Sequence, residues 1–383
     1  MAPNDEDFPY ETASRPGPDG SANEYIDDMA RTPSTLPTIG DVARRAKVST
    51  ATVSRVLNQP DTVRPELQAR VTQAVRALGY VPHAGARTMK LGQSGTVGAV
   101  FPTVDNAIFA KAIDALQRRL AELGMQLLIA TSDYDPRAEE QQALNMLARG
   151  VDGLLLCGCG QSPLLIERLR QRGLPTVHVM SWPVPPDRMG VGFDNAKAMG
   201  QVIRYLLGLG HRRVAMLAGV TRDNDRAAER VRGVRDALDA AGIGLPAHRL
   251  AERRYGLAAA RDGLRELMKH RTPPTAVVCG NDVLAFGALL EAQQLGIAVP
   301  QQLSIVGFDD LDLASHVQPA LTTVRVPAED MWRAAVDRLA AAMAGEAAPS
   351  AAQIQVALVV RESSGPAPAA RSRTRPAAGA GRG

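Results

Sequence analysis

From Thr96 onward, short apolar runs alternate with longer amphipathic ones. VGAVF (Val97–Phe101), MQLLIAT, VDGLLLCG and LPTVHVM read as buried strands. Between them Phe109 to Leu123, PRAEEQQALNMLAR and PLLIERLRQRG place apolar residues at helical spacing. A second set starts near Gly192: helix AKAMGQVIRYLLGLG, strand RVAMLAG, helix DRAAERVRGVRDALDAAG, strand PTAVVCG, helix VLAFGALLEAQQLG and strand LSIVGFD. Such alternation predicts doubly wound α/β sheets, and two sets in succession predict a two-lobed binding fold with the ligand in the cleft. Ligands of open α/β sheets sit at the carboxyl ends of strands. The loops after Phe101, Thr131, Gly219, Cys279 and Phe308 are therefore placed at the site.

Ahead of these sets the pattern is different. Thr38 to Leu57, TIGDVARRAKVSTATVSRVL, reads as two short helices joined by a tight turn. Thr38 caps the first helix, with Asp41 three residues on. Ile39, Val42, Ala43 and Ala46 form one apolar face, Lys47-Val48 makes the turn, and Ser49 is a second N-cap. In the second helix Val53, Val56 and Leu57 face inward, leaving Thr50, Ala51, Ser54 and Arg55 outside. This is the build of a DNA-reading helix-turn-helix, whose second helix presents its first residues to base edges. Taken alone, the stretch also fits a helical hairpin in another all-α domain. Pro65 to Leu78 reads as a third helix, started by Pro65 and ended at Gly79-Tyr80.

Composition narrows the class. At 383 residues the chain is too long for one core. No apolar run approaches the roughly 18 residues of a membrane span, and the acidic, polar start is unlike a signal peptide. Cys157, Cys159 and Cys279 lie in apolar runs. They point to a reducing, cytoplasmic setting without a disulfide framework. The CGC spacing does not suit zinc, and no metal or cofactor is expected. Net charge of +4 hides an asymmetry. Residues 1–36 hold eight acids and two bases, a net of −6; residues 37–90 hold nine bases and three acids, a net of +6. A basic head suits a polyanion. The acidic arm, 1–36, is expected to be disordered, either as a neutral tail or as a competitor of DNA for the head.

The segment TIGDVARRAKVSTATVSRVLNQPDTVRPELQARVTQAVRALGYVPHAGARTM resembles the DNA-binding head of the lactose-repressor family of bacterial transcription regulators. NDVLAFGAL, VPQQLSIVGFDD and PALTTV follow in the family's order, and GVGFDN resembles the gluconate-operon repressors within it. The resemblance implies a helix-turn-helix head over 37–81, a hinge helix over 82–92 and an effector-binding, dimerising domain over 95–363. This last is a two-lobed α/β periplasmic-binding-protein-like domain. Its first lobe would hold about 95–192 and 324–345, its second about 193–321 and 348–363, with helix Ala328–Met343 returning to the first and a strand Ile354–Val360 to the second. A tail, 364–383, is expected to be disordered, and without a leucine heptad helix a homodimer is expected.

By the same resemblance Thr50, Ala51 and Arg55 read bases, with Arg55 able to pair with guanine O6 and N7. Ser49, Thr52, Ser54 and Asn58 are phosphate or backbone candidates, or else cap and turn residues. Tyr80 joins the DNA candidates. In the hinge, Ala86 allows close approach and Met89 stands at the position that wedges into the minor groove. A plain linker is the alternative. In the cleft Arg230, of the family's Arg-x-x-Gly-aromatic pattern with Val234 for the aromatic, and Asp282 are the first ligand candidates. Arg230 would fork onto a carboxylate or hydroxyl pair; Asp282 would accept hydroxyls or only cap its helix. Ile108, Phe109 and Tyr255 line the cleft or pack the core. Asn281 and Asp309 stand behind, and Trp182 is weaker. Arg222, Arg226 and Arg230 along one edge, with the gluconate-repressor likeness, point to a sugar acid, gluconate or a ketogluconate.

The function expected is a DNA-binding repressor controlled by a small sugar-type effector. A ligand-independent repressor and a cytoplasmic sugar-binding protein are the alternatives. An enzyme is not expected: there is no Walker loop, no nucleophile elbow and no metal-spaced histidine pair.

Overall fold

The computed structural model describes residues 36–81, 93–346 and 351–369. The chain divides into two compact units, Met1–Ala86 and Arg87–Gly383, each with its own core. The expected acidic arm, save Leu36, and the hinge over 82–92, with Ala86 and Met89, lie outside the described residues.

The first unit is three helices: α1 (Ile39–Ala46), α2 (Thr50–Asn58) and α3 (Pro65–Leu78). A reciprocal capping box starts α1. The Asp41 N–H donates to Thr38 Oγ1 at 3.3 Å, and the Thr38 N–H donates to Asp41 Oδ2 at 2.9 Å. Lys47 ends α1 in the left-handed region (φ 52°). Ser49 caps α2 by accepting from the Thr52 N–H at 3.1 Å. Val42, Ala43, Ala46, Val53, Val56, Val71, Ala74 and Tyr80 form the core. The Arg70 guanidinium donates to the carbonyls of Ala46 and Lys47, where the end of α1 favours a cation.

The second unit begins with β1 (Thr96–Phe101), α4 (Ala107–Glu122), β2 (Gln126–Thr131), α5 (Pro136–Ala148), β3 (Gly153–Cys157), α6 (Pro163–Gln171), β4 (Thr176–Val179) and β5 (Met189–Gly192). After a crossover come α7 (Asn195–Gly208), β6 (Val214–Gly219), α8 (Asp225–Ala240), β7 (Leu250–Arg253), α9 (Leu257–Met268), β8 (Ala276–Cys279), α10 (Asp282–Gln294) and β9 (Ser304–Val306). The chain closes with β10 (Thr323–Arg325), α11 (Ala328–Met343), β11 (Ala351–Gln353) and β12 (Ala357–Val359). Lobe 1 is a parallel sheet in the order β11-β5-β4-β3-β1-β2, and lobe 2 a parallel sheet β7-β6-β8-β9. Helix α11 packs on lobe 1: Trp332 lies 5.1 Å from the Phe101 ring, and Leu339 fills the space a side chain at Gly153 would need.

Three features depart from the sequence expectations. The strand expected at Ile354–Val360 shortens to β12, and a further strand, β11, precedes it. β11 extends the lobe 1 sheet beside β5, whereas β12 pairs antiparallel with β10, so residues 351–353 leave the second lobe for the first. Second, the tail is not loose from residue 364. Ser363 and Ser364 are buried, the Tyr205 hydroxyl meets Ser364 Oγ at 2.8 Å, and the Ala367 N–H donates to Leu209 O at 2.9 Å. Backbone and hydroxyl partners hold what composition alone read as free. Third, β7 and α9 went unanticipated. β7 is an edge strand with one buried residue, and α9 carries Gly263, where a side chain would strike Leu217. Among the described residues no helix is long and apolar enough to cross a membrane.

Candidate DNA-reading face and effector cleft

On α2, Thr50, Ala51 and Arg55 are exposed, as burial of Val53 and Val56 on the opposite face dictates. Ser54 and Thr52 are half-buried. Ser49 and Thr52 share a hydroxyl contact of 2.9 Å, and the Asn58 amide donates to Ser54 O at 2.7 Å. These polar side chains thus already serve the helix ends. Tyr80, counted with the DNA candidates, sits among the core residues of the head at 9% exposure.

Loops from both lobes of the second unit enclose a cavity of about 690 Å³. They follow β1, β2, β6, β7 and β8, at the carboxyl ends of the strands. Thr103 and Asp105 contribute from one lobe with Asp133 and Tyr134; Arg222 and Tyr255 contribute from the other. Beneath it is a crevice of about 20 Å³ that brings together Ile108, Phe109, Arg230, Tyr255, Asn281 and Asp309. Tyr134 and Asp309 (φ 121°), which line it, each belong to a consecutive pair of positive-φ residues, Asp133-Tyr134 and Asp309-Asp310. Strained backbone of this kind clusters at ligand sites.

Arg230 is no surface charge. It is 5% exposed, and its guanidinium lies 3.9 Å over the Phe308 ring. Its Nε donates to Asn195 Oδ1 at 2.8 Å and Nη1 to Gly280 O at 2.6 Å. Among the described residues Nη2 has no hydrogen-bond partner. Asn281 caps α10 through Oδ1, which accepts from the Leu284 N–H, while its Nδ2 is buried without a partner. Asp309 Oδ1 is likewise buried and unpartnered, and burial pushes its carboxyl up to about 8 against the pull of Arg230. A buried polar atom left unsatisfied costs about 1–3 kcal/mol. Two of them beside a spare guanidinium nitrogen offer a donor, an acceptor and a cation within one crevice.

Asp282 corrects the expectation. It is fully buried, Oδ1 accepts from the Thr323 hydroxyl at 2.6 Å, and Oδ2 accepts from the Leu311 N–H at 2.7 Å. Burial holds its carboxyl up at about 6. Both oxygens are spent fastening α10 to the segment after β9 and to β10, and it lines neither cavity nor crevice. The cap belongs to Asn281. Of the three arginines read as a sugar-acid edge, Arg230 is committed as above, and Arg226 is buried in an ion pair with Asp225 at 2.9 Å. Arg222 alone of the three is exposed at the cavity. Trp182 is half-buried and lines neither part.

One group escaped the sequence reading. Asp225, first residue of α8, reaches into lobe 1: its Oδ2 accepts from the Cys159 N–H at 2.7 Å and the Ser181 hydroxyl at 2.9 Å. Burial opposes its charge, but Arg226 and these donors hold its carboxyl below the ordinary range.

A helix-turn-helix head joined to a two-lobed, polar-lined cleft defines a ligand-responsive DNA-binding regulator. Residues 38–83 match the lacI family of bacterial regulatory proteins, and residues 203–364 match a periplasmic binding protein-like domain. The chain is 32% identical over 305 residues to the ribose operon repressor of Haemophilus influenzae, covering 79% of this chain and 91% of that protein. It is 33% identical over 318 residues to the transcriptional repressor CytR of Escherichia coli K12, covering 83% and 93%. The lac repressor dimer solved with operator and the anti-inducer ONPF is 25% identical, with a TM-score of 0.75 over 86% of this chain and 99% of that one. The chain belongs to the lacI family; it is a DNA-binding transcriptional repressor, not an enzyme.

Proposed function

We propose that the chain is a dimeric repressor whose hold on operator DNA is set by a neutral, hydroxyl-rich, sugar-type effector in the cleft. The observation that carries this is the pair of unpartnered buried atoms, Asn281 Nδ2 and Asp309 Oδ1, beside Arg230 at the crevice. A sugar hydroxyl accepts from the amide and donates to the carboxyl, relieving both. Tyr134 and Tyr255, 5.7 Å apart, provide a face for the ring. The relatedness to a ribose operon repressor supports the same ligand class. Gluconate or a ketogluconate is the second reading, favoured by exposed Arg222 at the cavity. It has less support than the three-arginine edge suggested, since Arg226 and Arg230 already have partners.

On the DNA side, Arg55 carries most direct base readout, Thr50 and Ala51 add small contacts, and Ser49, Thr52, Ser54 and Asn58 stay near the backbone. Ala86 and Met89 belong to a hinge that acts at the minor groove. Two heads of a homodimer read a pseudo-palindrome. Ligand in the cleft biases one lobe arrangement, a coupling of about 1–3 kcal/mol. The test is operator affinity on DNA upstream of the chain's own gene, at fixed salt, with a panel of neutral sugars and gluconate. A tenfold shift with a neutral sugar supports the reading. A shift with gluconate alone replaces it with the second, and tight binding indifferent to every ligand leaves a repressor without an effector.

A further inference from the structure

The amino ends of the lobe 2 strands, opposite the cleft, gather positive charge that the regulator so far described does not use. Arg212 and Arg213 precede β6, Arg249 precedes β7, and Lys269 and Arg271 lie between α9 and β8. β6 pairs with both neighbours, Met216 with Leu250 and Val214 with Ala276, so the three loops lie side by side. The His248 and His270 rings stack 4.0 Å apart and join two of them. Arg213 Nε donates to Pro273 O at 3.0 Å and joins the first to the third.

Arg212, Arg213, Lys269 and Arg271 are exposed. Among the described residues none of these four, nor Arg249, forms an ion pair. This contrasts with arginines elsewhere in lobe 2: Arg232, Arg253, Arg261 and Arg265 each have an acid. Arg249 Nε is buried without a partner, and burial together with the like charge of Arg213 lowers its proton affinity. Residues 365–367 also lie at this end. Ala367 is bonded to Leu209, and Gly365 O accepts from His211 Nε2 at 3.0 Å, beside Arg212.

We propose that this end of lobe 2 is a second DNA-contact surface, which takes the phosphate backbone of duplex DNA without reading its sequence. Crowded like charges with no acid between them repel one another, and a bound anion relieves that repulsion. Arginine-rich contacts to phosphate need no apolar anchor. A protein partner usually supplies and needs one, yet among the described residues no large apolar side chain is exposed in these loops.

The test uses the full chain and a short fluorescent duplex of random sequence, followed by anisotropy across a salt series. Neutralising the four exposed cations together (Arg212→Gln, Arg213→Gln, Lys269→Gln, Arg271→Gln) should make the slope of log affinity against log salt shallower by about three to four, one per lost phosphate contact. Replacing the three arginines by lysine should keep the slope, which separates lost charge from lost fold. Arg55→Ala, which addresses the head, should leave the patch-dependent part of the slope in place, so failure of the head reading and of this one are distinguishable. An unchanged slope in the neutralised chain overturns the proposal. So does a slope that responds to neutralisation only after residues 1–36 are removed, because the acidic arm, not DNA, then holds the surface.

Discussion

At the scale of single residues, the cleft is defined by what its side chains lack. Asp309 is held in a left-handed backbone with one carboxyl oxygen unpartnered, and burial raises its proton affinity to about 8 from an ordinary 3.8. Because the folded chain binds this proton more tightly than the unfolded chain, its stabilising contribution is complete below about pH 4 and is lost as pH rises through 8. Asp309→Asn removes the titration. The variant should therefore gain on the parent, on the order of 2 kcal/mol between pH 6 and 9, by urea unfolding. It should also bind effector at least tenfold more weakly. Equal pH profiles for the two chains would remove the buried carboxyl from this account. Asp282 is the opposite case, with both oxygens satisfied. Asp282→Ala orphans the Thr323 hydroxyl and the Leu311 N–H and should cost about 2–4 kcal/mol in the same assay, against far less for Asp282→Asn.

At the scale of elements, helices α7 and α8 touch backbone to backbone. A side chain at Gly233 would come within 2.1 Å of Ala196 O. Gly233→Ala should force the helices apart at about 1–3 kcal/mol of unfolding free energy and weaken effector binding, since Arg230 rides one turn earlier on α8. A stable variant with unchanged binding would show that the crossing has slack. This glycine was legible as part of the Arg-x-x-Gly pattern, as were the caps at Thr38 and Ser49, because each acts within a few residues of chain. Legibility ended where partners are distant. Asn281 and Asp282 are both good caps by type, and only the position of Thr323, 41 residues on, shows that Asp282 is spent elsewhere. Asp309 was read as a residue in support, yet it lines the crevice itself. The placing of β11 and β12 in different sheets depends on which sheet has a free edge, a property of the assembled lobes that no local pattern carries.

At the scale of the molecule, the question is what sets the angle between lobes. The exposed Arg254–Asp133 pair across the cleft, at 3.8 Å, is worth little in water. Asp225 is different: it is half-sheltered, bonded to the Cys159 N–H and the Ser181 hydroxyl, and paired with a buried Arg226. Gly158, at φ 78°, lets this pair approach, since a side chain there would lie 2.1 Å from Arg226. The group latches lobe 2 to lobe 1 in the arrangement seen. Asp225→Asn would strand a buried guanidinium and is too severe a probe. Ser181→Ala removes one hydrogen bond of about 1 kcal/mol and leaves the ion pair intact. If effector bridges the lobes, losing that bond should weaken effector binding about fivefold. By linkage it must also move operator affinity in the direction opposite to the effector's own influence. Calorimetry with the effector and operator titrations on the same variant check both halves. A loss of effector affinity with no change at the operator would mean that the latch serves the ligand alone, and that the heads respond to some other contact between the lobes.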